Sequence, residues 1–103
     1  MRFVITCRIP VEKGNELTKA GSLGSTIRSI MEELKPETAS FSDIEGARGR
    51  SIVVNMDDAS QYVAMAEPIF LSLGATIKLN LVTTPEDLQR AAPAMEQAAQ
   101  NYG

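Results

Sequence analysis

The stretch "TASFSDIEGARGRSIVVNM" (residues 38–56) decides the fold, because two strand-like runs stand on either side of a glycine-containing connection. The runs are "TASFSDIE" and "RSIVVNM", and the connection is Gly46-Ala47-Arg48-Gly49. Apolar and β-branched runs separated by a few residues with glycine are typical of a β-hairpin. The sequence therefore predicts an antiparallel pair of strands in the middle of the chain, joined by a four-residue loop.

The length of this loop decides which way Asp43 and Glu45 point. A four-residue loop pairs Asp43 with Ile52 and turns its side chain toward the helices. A loop that is one residue longer or shorter pairs Asp43 with Val53 and turns it to the opposite face, since a slip of one residue exchanges the faces of a strand. Both registers remain open from the sequence.

The charged residues of the same stretch are interpreted as structural. "GARGR" lacks the Lys-Ser/Thr pair and the following helix of a phosphate-binding loop, so we expect Arg48 and Arg50 to be exposed at the hairpin tip. Asp58 stands three residues before Gln61, which is the spacing of a capping box at the start of a helix. The pair Asp57-Asp58 is therefore assigned to helix capping and not to catalysis.

Upstream of the hairpin, the sequence predicts one strand and one long helix. In "RFVITCRI" (residues 2–9) apolar and polar side chains alternate as in a strand covered on one face. From residue 11 to residue 34 apolar side chains recur every three or four positions, which predicts a helix that ends before Pro36. Gly21 and Gly24 weaken the middle of this stretch, so we expect a break or a kink there.

Downstream of the hairpin, the pattern predicts a helix, a strand and a last helix. The first of these helices ends at Gly74, and Pro68 is expected to kink or restart it. "ATIKLNLV" (residues 75–82) alternates like a strand. Thr84 and Pro85 suit the N-cap and the first position of the last helix, which Pro93 is expected to interrupt. The apolar stripe of that helix consists of Leu88, Ala91, Met95 and Ala99.

The predicted order is strand, helix, strand, strand, helix, strand, helix. Its first six elements are the βαββαβ order of the ferredoxin-like fold, a four-stranded antiparallel sheet with helices on one face. The seventh element adds a C-terminal helix. Because the chain has 103 residues and no linker or repeat, residues 1–103 are predicted to form a single α+β domain.

Composition and charge exclude several classes of function. The net charge is −3 and the ten lysines and arginines are scattered, so we expect no nucleic-acid partner. The chain has no histidine and one cysteine, which leaves no donor set for histidine-ligated haem or for most zinc sites, and we expect no cofactor and no metal. A lone cysteine suits a reducing cytoplasm, and no apolar run approaches a membrane span.

The sheet face opposite the helices is expected to be partly covered by a partner. It mixes valines with charged and polar side chains, so it is too apolar for a fully solvated surface and too polar for a dry core. A second copy of the sheet is the partner that this composition favours. On the first and fourth strands this face presents Arg2, Val4, Thr6, Arg8, Lys78, Asn80 and Val82.

Three segments resemble small bacterial proteins of the dimeric α+β barrel superfamily: "GSTIRSIMEELKPETASFSDIEGARG" (residues 24–49), "MDDASQYVAMAEPIFLSLGA" (56–75) and "TTPEDLQRA" (83–91). The resemblance implies that two ferredoxin-like sheets pair into a closed barrel, so that the chain forms a homodimer or a higher oligomer. Members of the superfamily include cofactor-free monooxygenases, muconolactone isomerase, haem enzymes and proteins without assigned activity. The haem enzymes need an axial histidine and some monooxygenases use a tryptophan, and this chain has neither.

The interior of such a barrel is the predicted site for a small organic ligand. Four side chains are expected to line it, because they project from strand positions opposite the helix-facing rows. If the hairpin register turns Asp43 inward, it joins them in a polar group suited to a small carboxylate or a phenol-like ligand; otherwise the interior is cationic. The four side chains are Arg8, Asn55, Lys78 and Asn80.

Three further residues are assigned from their local pattern. Cys7 is expected to face the helices as a small buried hydrophobe. Tyr62 is expected either to pack in the first turn of its helix or to lie above a cleft between helix and sheet, and Glu67 to lie at the surface.

Three functions fit the sequence. The first is a homodimeric barrel that binds a small organic molecule and isomerises or oxidises it without a metal. The others are a ligand-sensing module and a protein-interaction module. The first is favoured, and whether it is an enzyme is left open.

Overall fold

The computed structural model describes Met1–Gly103 and contains four strands and four helices. The strands are β1 (Arg2–Arg8), β2 (Thr38–Ile44), β3 (Ala47–Asn55) and β4 (Thr76–Leu81). The helices are α1 (Val11–Lys19), α2 (Leu23–Leu34), α3 (Ala59–Leu73) and α4 (Pro85–Tyr102). All strand pairs are antiparallel, in the order β2-β3-β1-β4, which is the ferredoxin-like arrangement that the sequence predicts.

The turn between β2 and β3 is shorter than the sequence suggests. It consists of Glu45 and Gly46, with φ angles of 49° and 77°. Positive φ at both positions is the signature of a type I′ turn, whose twist matches that of the flanking strands. Ile44 therefore lies opposite Ala47, and residues 47–49, which were expected in the loop, belong to β3.

This shorter turn also corrects the placement of the two arginines. Arg48 and Arg50 are not exposed at a hairpin tip; they are half-buried on the face of β3 that carries Ile52 and Val54 into the core. The Nη1 group of Arg48 donates a hydrogen bond to Oδ1 of Asn15 over 3.0 Å. Because the turn ends before residue 47, both arginines fall within the paired strand and point to the helical side.

The helix break, caps and stop that the sequence predicts are confirmed. Gly21, with a φ of 72°, lies in the break between α1 and α2. Asp58 and Gln61 form the capping box that starts α3, and Gly74, with a φ of 59°, ends it. Thr84 caps α4 in the same way, together with Asp87.

The two prolines inside helices do not divide them. α3 continues through Pro68 and α4 continues through Pro93, so the expected restart and interruption are not found. A proline removes one backbone N–H donor, and the hydrogen bonds on either side carry the helix across that gap.

The core lies between the sheet and helices α2 and α3. Ile5, Ile52 and Ile69 are almost completely buried there, and burial of a side chain of this size contributes about 1.5–3 kcal/mol each. Cys7 belongs to the same cluster, as predicted. The core therefore fixes which face of the sheet is covered by helices and which is not.

α4 stands apart from this body. None of its residues is buried, and it packs against no other element to a substantial extent. The chain measures 58 × 27 × 20 Å with a radius of gyration of 17.3 Å, where a compact chain of this length has about 13 Å. A helix of 18 residues spans about 27 Å, so α4 accounts for most of the extra length.

Candidate ligand-binding face

The sheet face opposite the helices, here called the open face, is uncovered in the single chain. The strand register places its side chains in rows that cross the sheet. Two valines at its centre are thus flanked by small hydroxyl side chains and bordered by cations. The rows are Asn80–Val4–Val53–Thr38, Lys78–Thr6–Ser51–Ser40 and Thr76–Arg8–Gly49–Ser42.

The open face is cationic in an acidic protein. It carries the basic side chains of Arg2, Arg8 and Lys78, and none of its strand positions holds an acidic residue. The whole chain has a net charge of −3, and the acidic side chains next to this face are Glu37 and Asp87, both at the end of the sheet near Arg2. A one-signed patch of this kind concentrates ions of opposite charge, so the open face attracts anions.

Arg8 is held in place by the hairpin. Its Nε group donates to the carbonyl oxygen of Ile44 over 3.2 Å, and its Nη2 group donates to that of Glu45 over 3.4 Å. The side chain is half-buried. The guanidinium charge therefore has a fixed position at one end of the open face.

The other two cations differ in their availability. Arg2 forms an ion pair with Glu37, with 3.0 Å between Nε and Oε2. Lys78 is exposed and takes part in none of the ion pairs of the chain. Lys78 is therefore the cation that is free to meet a ligand on the open face.

The two asparagines predicted for the site also lie on the open face. Oδ1 of Asn55 accepts a hydrogen bond from the N-terminal amino group over 3.0 Å, which occupies that oxygen at the end of the sheet. Asn80 is exposed in the row that contains Val4. The structure thus places Arg8, Lys78 and both asparagines on one face, as predicted, with Lys78 and Asn80 nearest to its centre.

Asp43 does not join them. It lies opposite Arg48 on the helix-facing side of β2 and is exposed there. The two-residue turn sets this register, and because side chains alternate along a strand, Asp43 cannot reach the face that carries Arg8. Glu45 lies in the turn itself. The polar group of Asp43 with Arg8 and Lys78 is therefore not formed. The open face matches the other alternative from the sequence, a cationic surface.

Three hydroxyl groups in the central row were not predicted as site residues from the sequence, although Thr6 was expected on this face. Thr6, Ser51 and Ser40 lie side by side across β1, β3 and β2, next to Lys78 on β4. Hydroxyl groups next to an ammonium group are suitable donors for a carboxylate. Only the register of all four strands brings them together, and no local pattern signals it.

A second concave surface, here called the α3–β4 groove, lies on the helical side of the sheet. Its cavity has a volume of about 350 Å³ and its lining is mainly apolar. Tyr62, in the first turn of α3, is half-buried and packs against the core while it also lines this groove, so both alternatives for it hold, and Glu67 is exposed as expected. The lining consists of Met1, Phe3, Met56, Asp57, Asp58, Ala59, Tyr62 and Leu79.

The titratable groups with clearly shifted pKa values serve the fold. Burial raises the pKa of the Cys7 thiol to about 11, against the opposing effect of the Arg50 charge. Hydrogen bonds from Ser60 lower the pKa of Asp58, and hydrogen bonds from Thr84 lower that of Asp87. No three cysteine or carboxylate side chains form a cluster that could hold a metal ion, and no helix has the length and apolar character needed to cross a membrane.

Comparison with known proteins adds a likeness of shape only. No protein-family model matches the sequence, and a search of curated proteins found no match. Among solved structures, the chain is similar to the de novo designed protein Ferredog-Diesel, with 7% sequence identity and a TM-score of 0.44. The match covers 79% of this chain and 85% of that chain. The assignment of a ferredoxin-like fold rests on the strand order and connectivity.

Proposed function

We propose that the protein is a homodimer whose two open faces stack on each other and bind a small organic anion between them. The observation that carries this proposal is the open face itself, which is uncovered and cationic and has no acidic residue at any of its strand positions. A surface of that kind in a protein of net charge −3 is suited to an anionic ligand.

The size of the side chains supports a cavity between the stacked faces. Sheets that pack face to face lie about 10 Å apart, and large interdigitating side chains normally fill that space. The centre of the open face has valine, threonine, serine and glycine instead. Two such faces leave room between them, which favours an enclosed ligand over a dry interface.

The chemistry of the face supports a carboxylate with a compact apolar body. The Lys78 ammonium group, with the hydroxyl groups of Thr6 and Ser51, offers a charge and hydrogen-bond donors to the carboxylate. Val4 and Val53, which are half-buried, offer an apolar surface to a ring or short chain. A benzoate-like acid matches this arrangement.

Binding is proposed ahead of catalysis. The strand positions of the open face carry arginine and lysine side chains and no carboxylate or histidine, so they offer positive charge and no general base. A cofactor-free isomerase or monooxygenase reaction would therefore depend on the reactivity of the substrate itself.

Titration of the isotope-labelled protein with benzoate, followed by NMR, tests the proposal. We expect amide shifts to concentrate at Thr6, Ser51 and Lys78, and the affinity to fall at least tenfold in Lys78→Glu. Lys19→Glu makes the same charge change on α1, away from the sheet, and should bind benzoate as the unmodified chain does. Shifts confined to Tyr62 and the α3–β4 groove, or equal losses in both variants, would contradict the open face as the site.

A further inference from the structure

The large exposed apolar side chains fall mainly into two groups. The first lies along the α3–β4 groove and the outer side of α3, and the second runs along α4. Met1, which lines the groove, is exposed as well, and outside these groups the exposed large apolar side chains are Val11 and Phe41. The first group consists of Val63, Phe70, Leu71, Leu79 and Leu81, and the second of Leu88, Met95 and Tyr102.

The α3–β4 groove lies at the N-terminal end of α3, and further apolar side chains are exposed beside it. A separate cavity next to α2 is lined by Gln61 and Ala64, so Val63 and Phe70, one seven-residue step apart, lie on the opposite flank of α3. On the helix-facing row of β4, Leu79 and Leu81 are 41% and 58% exposed. These side chains add exposed apolar surface to that of the groove itself.

α4 has the complementary form. Leu88, Met95 and Tyr102 follow each other at intervals of seven residues, with alanines between them, and make one apolar stripe. The charged residues of α4 lie away from this stripe. Helices in proteins draw most of their stability from packing such a stripe, and no element of its own chain packs against α4 to a substantial extent.

α4 leaves the body at the end of the sheet where β4 stops. Asp87 and Ala91, in its first two turns, line a cavity with Arg2 and Asn55 of the open face and with Met1 and Leu81 of the helical side. The rest of α4, with Met95 and Tyr102, lines neither this cavity nor the α3–β4 groove of its own chain. Val82 is still hydrogen-bonded to Arg2, and the capping box of Thr84 fixes the direction of the helix directly afterwards.

We infer that α4 of one copy lies in the α3–β4 groove of a second copy, and that the two copies exchange these helices reciprocally. This inference rests on the self-association in the proposed function, and it adds the element that covers each groove. The apolar stripe of α4 then packs against Val63, Phe70 and Leu79 of the other chain.

The dimensions allow this exchange. Stacked sheets lie about 10 Å apart, and α4 spans about 27 Å, so it extends past the sheet of the other copy to the helical side. A helix is about 10 Å wide, so the roughly 17 Å of each α4 that remains beyond the gap, with both helices burying their own face and a groove, removes on the order of 700 Å² from water. A specific interface needs roughly 1,000 Å², and the stacked open faces supply the rest.

Disulfide cross-linking between two chains that each carry one engineered cysteine tests the inference. Met95→Cys is placed on α4 of one full-length chain and Val63→Cys on the groove of another, which is labelled with ¹⁵N, and the chains are co-refolded. Both positions are more than half exposed in the single chain, so the fold tolerates the changes. The chains are kept reduced during refolding and oxidised only after they have folded, when the native Cys7 is buried and its thiol stays out of the reaction.

The expected product is a mixed disulfide that contains one labelled and one unlabelled chain, formed at least tenfold faster than with the control. The control is Gln97→Cys, which lies on the opposite side of α4 from Met95 and is equally exposed. Because each chain carries one engineered cysteine, a mixed product shows contact between copies. Disulfides between two Met95→Cys chains would show pairing of α4 with α4 and would overturn the inference, as would the absence of any preference over the control.

A chain with both Met95→Cys and Val63→Cys separates the remaining alternative. Cross-linked dimers are expected from it. A disulfide within one chain would show that α4 folds back on its own groove and would also overturn the inference. If the exchange fails while the chain remains a dimer that binds benzoate through Lys78, the proposed function stands without it; if the chain is a monomer, both fail.

Discussion

Replacement of Gly49 by alanine tests the hairpin register, on which the composition of the open face depends. Gly49 lies opposite Ser42 and Arg8, and the side chain of Ile44 folds over it. A Cβ atom at position 49 would meet Cβ of Ile44 at 3.0 Å and overlap the outer atoms of that side chain. Overpacking of this kind lowers the free energy of unfolding by about 1–3 kcal/mol.

A second substitution, Ile44→Ala, shows whether that loss comes from this contact. Ile44 is half-buried, so its truncation alone is expected to cost about 1–2 kcal/mol, less than truncation of a core isoleucine. In the double variant the alanine at position 49 has room, and the loss caused by Gly49→Ala should largely disappear. We therefore expect a coupling energy of about 1–3 kcal/mol between the two positions.

Urea unfolding followed by circular dichroism measures all four corners of this cycle. Gly24→Ala is the matched control, because nothing lies within 4 Å of a Cβ atom built on Gly24, and this change should leave stability unchanged or raise it slightly. In the four-residue loop register Gly49 would lie in the loop, apart from Ile44. Additivity of the two substitutions within about 0.5 kcal/mol would therefore refute the two-residue turn.

Three further predictions concern single residues. Glu45→Asn should raise the free energy of unfolding, measured by urea titration, by about 0.5–1 kcal/mol. The reason is that Glu45 has a positive φ and Asn-Gly is the preferred pair in a type I′ turn. A loss of stability would contradict this turn type. The Cys7 thiol, with its pKa raised to about 11, should resist iodoacetamide at pH 8 until urea unfolds the chain, and rapid labelling of the folded chain would show that it is not buried. The pKa of Asp58 is lowered in the folded chain, so its carboxylate stabilises the fold above the ordinary pKa of 3.8, and this stabilisation is lost as the pH falls through the folded pKa. Asp58→Asn should therefore flatten the decline of the melting temperature in acid. An unchanged decline would show that other groups cause it.

The order of the elements was predictable because each signal is local. Alternation identified β1 and β4, and the capping boxes at Asp58 and Thr84 marked the starts of α3 and α4 within a few residues. Gly21 and Gly74 indicated where helices are interrupted or end, because glycine readily adopts the positive φ angles that the structure has at both positions. Signals of this kind depend on the neighbours along the chain, so they can be read from the sequence alone.

The hairpin register was not predictable from the same signals. Gly46 and Gly49 suggested a loop between them, whereas the turn uses Glu45, a residue that rarely adopts a positive φ. Gly49 is a strand residue because Ile44 occupies the space of a side chain there. This contact exists only in the folded hairpin. The sheet face on which Asp43 and Arg48 lie depends on the register that it accompanies.

The candidate site was partly predictable for a related reason. The sheet face on which Arg8, Lys78 and the two asparagines lie follows from the alternation of side chains along each strand. The hydroxyl row of Thr6 and Ser51 depends on which strands are neighbours, which is a property of the whole sheet. The separation of α4 from the rest of the chain could not be predicted either. Its sequence pattern predicts an amphipathic helix, but it does not indicate which surface covers the apolar stripe.

Native mass spectrometry of the full chain, purified without added ligand, tests the central claim most directly. The account predicts a dimer that carries the extra mass of a small organic acid, and a Lys78→Glu dimer that has lost this mass while Lys19→Glu keeps it. A monomer would contradict the stacking of two open faces, and a dimer whose bound mass is unaffected by Lys78→Glu would contradict the placement of the anion on that face.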